Sequence, residues 1–164
     1  MKHFDVFNGD ADGICALHQL RLAAPRDSEL VTGVKRDIDL LKRVEAGEGD
    51  CVTVLDISLD KNREALERLL DRGANVLYFD HHFPGGVPEH ANLDATIDTA
   101  AGVCTSLLVD DYLEGRYRAW AIAAAFGDNL DDVARDVAND AGLTTVRQTQ
   151  LRELGIYINY NAYG

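Results

Sequence analysis

The sequence predicts an α/β domain with an open, mostly parallel sheet, helices on both of its faces, and a helical C-terminal part. Three observations carry this. Short apolar runs alternate with helical patterns through the first half, as in a parallel sheet covered by helices. Three of those runs lead into carboxylates, at Asp10, Asp56 and Asp80. Beyond Thr99 the pattern is mostly helical.

The first strand is His3-Phe4-Asp5-Val6-Phe7, leading into Asn8-Gly9-Asp10-Ala11-Asp12-Gly13. Ile14, Leu17, Leu20 and Leu22 then give a helix from Asp12 to Ala24, stopped by Pro25. Leu30 to Val34 is a second short strand, Asp39 to Ala46 a short helix ended by Gly47, and Cys51 to Asp56 the third strand. Asp60 to Arg72 carries Leu66, Leu69 and Leu70 at helical spacing and stops at Gly73. Asn75 to Phe79 is the fourth strand and runs into Asp80-His81-His82. Phe83 to Pro88 is a loop by its turn residues, and Leu93 to Ile97 is the candidate for one more strand. Helices follow over Val103 to Leu113, Tyr117 to Phe126, Leu130 to Ala141 and from Thr145 onward.

A chain of 164 residues with 46% hydrophobic composition is expected to form one domain with a real core. Its net charge of −12, from 28 acids against 16 bases, argues against a surface that attracts nucleic acid or an anionic membrane unaided. Cys15, Cys51 and Cys104 are odd in number and widely spaced, which supports neither a disulfide framework nor a zinc ribbon. The N-terminus lacks the apolar region of a signal peptide, and no apolar run approaches the ~20 residues of a membrane span. A soluble, cytoplasmic protein with reduced thiols is the expectation. The stretch Gly155 to Gly164 leaves apolar and aromatic residues at a terminus. Residues 1–164 therefore read as the N-terminal part of a longer two-domain protein, the alternative being an end that folds back on the core.

In an open parallel sheet, ligands bind outside the carboxyl ends of the strands, so acids and imidazoles placed there converge on one pocket. Asp10 and Asp12 stand at such an end, with Gly13 permitting a tight turn. Helix capping would explain one of them, but not two matched by Asp56 and Asp80 at other strand ends. Ser58 or Asp60 can cap the helix after Asp56, leaving Asp56 available as a ligand. Asp128, in Phe126-Gly127-Asp128-Asn129, follows the alanine-rich stretch Ala119 to Ala125. His81 and His82 are adjacent, and in extended backbone their rings would point to opposite sides. One ring would then face a metal and the other suit a phosphate contact or a proton transfer, while Asp80 can receive the free N–H of a ligand histidine. An isolated His-His pair has a solvated surface as its ordinary reading.

Oxygen-rich ligation with one or two imidazoles suits Mn²⁺ or Mg²⁺. Two such ions bridged by a carboxylate hydrolyse phosphate esters and anhydrides, and Asp56, the single carboxylate of the central strand, is the candidate bridge. Asp98 to Ser106 opens a helix with small residues and hydroxyls, which offers Thr99, Gly102 and Thr105 as a weak phosphate-binding group; an ordinary cap by Thr99 is equally open. His3, His18 and His90 have no evident partners, and Lys35-Arg36 and Arg116-Tyr117-Arg118 read as solvated surface.

In order, Asn8-Gly9-Asp10-Ala11-Asp12-Gly13, Leu55-Asp56-Ile57-Ser58, Phe79-Asp80-His81-His82 and Gly127-Asp128-Asn129 resemble the four N-terminal motifs of the DHH phosphoesterase superfamily. That superfamily includes RecJ-type exonucleases, oligoribonucleases, cyclic-dinucleotide phosphodiesterases, family II pyrophosphatases and exopolyphosphatases. The resemblance covers residues 4 to 130. It implies Asp10, Asp12, Asp56, His81 and Asp128 as ligands of two Mn²⁺ or Mg²⁺ ions, with Asp80 and His82 as catalytic residues and His82 facing the scissile phosphate. The implied activity is a metal-dependent hydrolase acting by metal-activated water on a small phosphorylated substrate, a polyphosphate or a short single-stranded nucleic acid. The alternative is a non-catalytic nucleotide- or metal-binding module with a drifted site. Two departures bear on that choice. Val6 stands where many members have a histidine ligand, and Asn8, an additional candidate, stands where RecJ-type members have an acid. Members usually carry a C-terminal substrate domain with a glycine-rich motif, which this sequence lacks, and a homodimer is left open.

Overall fold

The computed structural model of the chain describes residues 1–162. Five strands form one sheet: β1 (His3–Asn8), β2 (Glu29–Gly33), β3 (Cys51–Leu55), β4 (Asn75–Asp80) and β5 (Leu93–Ile97). Six helices accompany them: α1 (Ala11–Ala23), α2 (Leu59–Asp71), α3 (Thr105–Tyr112), α4 (Arg118–Gly127), α5 (Asp131–Asp140) and α6 (Thr145–Asn161). The strand order is β2-β1-β3-β4-β5 and every pairing is parallel, with Val6 beside Val31 and Val54, and Val54 beside Tyr78. The order reverses between β1 and β3, and at such a switch point the loops leaving two adjacent strands diverge and open a crevice.

The pleat sorts the strand side chains onto two faces. Phe4, Val6, Val52, Val54, Val76 and Tyr78 pack with Leu59, Leu66 and Leu69 of α2, whereas Phe7, Leu55 and Phe79 pack with Leu17 and Leu20 of α1 and Leu108 and Val109 of α3. A third apolar cluster joins α4, α5 and α6 through Ile122, Phe126, Ala134, Ala138 and Leu151. Small residues bring these helices close. A Cβ on Gly127 would lie 2.6 Å from the Ala11 Cβ, and one on Gly155 would lie 2.0 Å from the Ala123 carbonyl oxygen.

Two elements differ from the sequence pattern. Asp39 to Ala46 contains only a single 3-10 turn, Leu41–Arg43. Leu40, Leu41, Val44 and Ala46 are buried, and Asn62 of α2 replaces helical partners: its Oδ1 accepts from Leu41 N–H, and its Nδ2 donates to the carbonyls of Ile38 and Ser58. At the other end, α6 runs through Gly155 to Asn161 and packs along α4, while Tyr163 and Gly164 lie outside the described residues. Among the described residues no helix is long and apolar enough to cross a membrane. The three cysteines are free, and burial pushes the Cys15 thiol up to about 12 and the Cys104 thiol well above its ordinary value, so neither supplies a thiolate.

Candidate metal centre

The turn from β1 into α1 places the first two carboxylates. Asp10 caps α1, its Oδ1 accepting from the amides of Asp12 and Gly13 at 3.1 and 3.2 Å. A side chain on Gly13 would meet the Asn8 carbonyl oxygen at 2.2 Å, so the turn requires glycine there. Asp12, one turn further, crosses to the start of α3, where its two oxygens accept from the amides of Thr105 and Ser106, each at 2.7 Å. The Ser106 hydroxyl returns a bond to the Asp12 carbonyl at 2.7 Å.

Asp56 lies just beyond β3 with φ of +58°, a left-handed conformation that costs energy for any residue with a side chain. It is held by its amide on the Phe79 carbonyl and by the Thr105 hydroxyl, which donates to Oδ1 at 3.1 Å. That oxygen is also 3.3 Å from His81 Nε2, which in turn lies 3.8 Å from Asp12 Oδ2 and 3.9 Å from Asp128 Oδ2. Asp128 is brought in by the end of α4.

Asp80 is the last residue of β4, so the backbone of His81 and His82 is no longer strand. Their rings consequently do not point to opposite sides. The centroids are 4.5 Å apart and both rings line one cleft of about 530 Å³, together with Asn8, Asp10, Asp56 and Asp128. Asp80 also serves a different histidine from the one foreseen: its Oδ1 accepts from His82 Nδ1 at 2.6 Å.

Burial sets the electrostatics. It drives the Asp56 carboxyl well above its ordinary value, with the charges of Asp12, Asp10 and Asp80 adding to the effect. Asp128 is raised by burial and by Asp12, against the pull of His81 and Lys35. Burial also raises Asp10, but the hydrogen bond and charge of Lys35 and the Gly13 amide outweigh it and hold that carboxyl below the ordinary range. His82 is raised by its bond to Asp80, against burial.

Three features were not visible as site features in the sequence. Lys35, two residues beyond β2, is no solvated surface residue: its Nζ lies 2.8 Å from Asp10 Oδ2 and 3.8 Å from Asp128 Oδ1. The strand-end rule that marked the acids would have found it. Asn159 of α6 accepts from the Ala11 amide at 2.7 Å and donates to the Gly127 carbonyl, tying together the segments that carry Asp10, Asp12 and Asp128. The α3 terminus foreseen for phosphate is taken, because Asp12 already occupies the amides of Thr105 and Ser106. Thr99 and Gly102 are exposed and do not line the cleft. Elsewhere His18 packs edge-on against Trp120, and Arg118 pairs with Asp110 at 2.9 Å.

The donor set fits a hard divalent cation. Asp12, His81 and Asp128, and likewise Asp56, His81 and His82, bring ligand atoms within 4.8 Å of one another. Carboxylates with one or two imidazoles suit Mn²⁺ or Mg²⁺, and a cation would offset both the burial that chiefly lifts Asp56 and Asp128 and the neighbouring carboxylate charges that add to it. Asn8 Oδ1 and Asp80 Oδ2 are buried and without a hydrogen-bond partner among the described residues.

No family model and no curated protein sequence matches the chain. Among solved structures it is similar to one described as a member of the s1p family of ribosomal proteins, DHH domain, with a TM-score of 0.69 and 15% sequence identity. The match covers 98% of this chain and 47% of that one, so the chain spans about half the length of the structure it resembles.

Proposed function

We propose that this chain, which carries the fold of a DHH domain, is a divalent-metal-dependent phosphoesterase that cleaves a phosphodiester or phosphoanhydride. The observation that carries this reading is the convergence of Asp10, Asp56, His81 and Asp128 on one cleft that His82 also lines, with Asp12 buried behind it at 3.8 Å from His81 Nε2. Asp12, Asp56, His81 and Asp128 would hold the metal. When bound, a divalent ion supplies Lewis acidity, activating water and neutralising charge on phosphoryl oxygens.

The chain's own residues supply the rest. Asp80 fixes the His82 ring through Nδ1 and leaves Nε2 for a ligand in the cleft. Because that bond favours the imidazolium, His82 can bind a phosphoryl oxygen or give a proton to the leaving oxygen. Asp12 aligns α3 against α1, and Thr105 aims the Asp56 carboxylate. With a net charge of −12, the substrate class that suits the cleft is a small nucleotide, a short single-stranded oligonucleotide or a polyphosphate, with further cations supplied by a second domain.

The test is Mn²⁺-dependent release of p-nitrophenol from the p-nitrophenyl ester of thymidine 5′-monophosphate. Release that disappears with EDTA and in His81→Ala supports hydrolysis. Mn²⁺ binding with no turnover of this ester would favour the non-catalytic binding module, a reading to which the apolar Val6 and the Lys35–Asp10 pair lend weight.

A further inference from the structure

We infer that the cleft takes one divalent cation, held by Asp12, Asp56, His81 and Asp128, and that the Lys35 ammonium stands beside Asp10 in place of a second ion and meets the substrate's phosphoryl oxygen. The inference rests on the metal-dependent reading above and alters its metal count and its substrate contacts.

The acidic cluster has two unlike halves. Around His81 Nε2, oxygens of Asp56, Asp12 and Asp128 lie at 3.3, 3.8 and 3.9 Å, a set that a single ion could draw together. Apart from that ring, Asp56 meets the neutral Thr105 hydroxyl and the Asp10 carboxyl, and the nearest fixed cation to this half, Lys35 Nζ, stays 3.8 Å from Asp128 Oδ1, well beyond its 2.8 Å approach to Asp10. Asp10 is in the opposite condition. Its Oδ1 is committed to the amides of Asp12 and Gly13, and its Oδ2 has an ammonium at 2.8 Å. A metal on that same oxygen would be pressed against Lys35 Nζ, and like charges at such a distance repel.

The Asp10 half also lacks the ligands that would make displacement of Lys35 worthwhile. Asn8, the last residue of β1, lines the cleft, and Val6, two residues earlier on the same face, is fully buried in the apolar core, so β1 brings no imidazole to that half. Asn8 Oδ1, without a hydrogen-bond partner among the described residues, belongs to a neutral amide and adds no charge.

Lys35 is positioned by the fold. Its amide donates to the Ala162 carbonyl at 3.2 Å and its own carbonyl accepts from Asn8 Nδ2 at 3.4 Å, so the segment after β2 is pinned to β1 and to the end of α6. The side chain is 34% exposed, and it lines the cleft with His81 and His82. A phosphoryl group entering there would find the metal half on one side and a fixed monovalent cation on the other. A lysine binds phosphate as a point charge without demanding bidentate geometry, which suits a group that changes shape during displacement.

The experiment is a metal count on the full chain. Chelator-treated protein is titrated with Mn²⁺ by calorimetry, the bound ions are counted by native mass spectrometry, and the loaded protein is frozen for electron paramagnetic resonance. One ion per chain, the spectrum of an isolated Mn²⁺, and an unchanged count in Asp10→Asn are expected. Lys35→Gln should keep one ion yet bind inorganic phosphate about tenfold to a hundredfold more weakly, the loss of one hydrogen bond to a charged group. Lys35→Glu, which supplies a carboxylate in place of the cation, should admit a second ion. Two ions in the unaltered chain with a coupled-pair spectrum, falling to one in Asp10→Asn, would overturn this inference alone. No bound ion would overturn the metal-dependent reading as well.

Discussion

His82 Nδ1 lies 2.6 Å from Asp80 Oδ1, and the adjacent His81 turns its Nε2 to Asp56, Asp12 and Asp128. Two neighbouring imidazoles thus have different partners and different electrostatics. Asp80 is fully buried at the end of β4 and its Oδ2 already lacks a partner among the described residues, so leaving the ring would strand Oδ1 as well.

That bond sets a pH dependence. The Asp80 hydrogen bond raises His82, so the imidazolium contributes stability below the ordinary histidine value, and that contribution is lost as pH rises through the raised one. If His82 donates a proton, turnover falls over the same alkaline limb. Asp80→Asn should move the limb to lower pH, and His82→Ala should lower kcat by about 10² to 10⁴. Both are read from kcat against pH at saturating Mn²⁺; a limb that stays in place in Asp80→Asn would separate Asp80 from His82 in function.

Asp56 gives a prediction of opposite sign in the absence and presence of metal. Its carboxyl is raised well above the ordinary range, so the folded chain favours the neutral form and loses stability as pH rises from the ordinary carboxylate value through the raised one. Asn removes that penalty, tolerates the +58° φ, and keeps an oxygen for the Thr105 hydroxyl. Asp56→Asn should therefore melt higher than the unaltered chain at neutral pH in EDTA, with the advantage vanishing in acid. Addition of Mn²⁺ should reverse the order, because the unaltered chain gains about 2.7 kcal/mol at a hundred times the dissociation constant. An unaltered chain whose melting temperature ignores Mn²⁺ would count against the site.

What the sequence revealed follows from range. Asp56 and Asp80 stand directly after an apolar run and Asp10 follows one after Asn8-Gly9, and the topology of a parallel sheet carries such residues to one edge. Lys35 obeys the same rule but lies two residues past the least buried of the early strands, in a sequence whose acids dominate the motif. The capture of the α3 amides by Asp12 spans more than ninety positions and leaves no local trace. The helix expected over Asp39 to Ala46 had the right apolar spacing, but the side chain of Asn62, twenty-one residues from Leu41, supplied bonds that a helix would have made internally.

The α6 helix is expected to hold the site in shape. Asn159→Ala leaves the Ala11 amide without its 2.7 Å partner and frees the Gly127 carbonyl, which should cost about 1–3 kcal/mol in urea unfolding and weaken Mn²⁺ affinity. Gly155→Ala drives a methyl onto the Ala123 carbonyl oxygen and should cost about 1–3 kcal/mol through overpacking. Unchanged stability in both variants would show that α6 is not needed by the metal-bearing segments.

The most direct measurement is an anomalous-diffraction map from crystals of the full chain grown with Mn²⁺ and a nucleoside monophosphate. The account predicts one strong peak enclosed by the Asp12, Asp56 and Asp128 carboxylates and His81 Nε2, with phosphate density between that peak and Lys35. A map with no peak among those residues at millimolar Mn²⁺, or with a peak only at surface carboxylates, would contradict it.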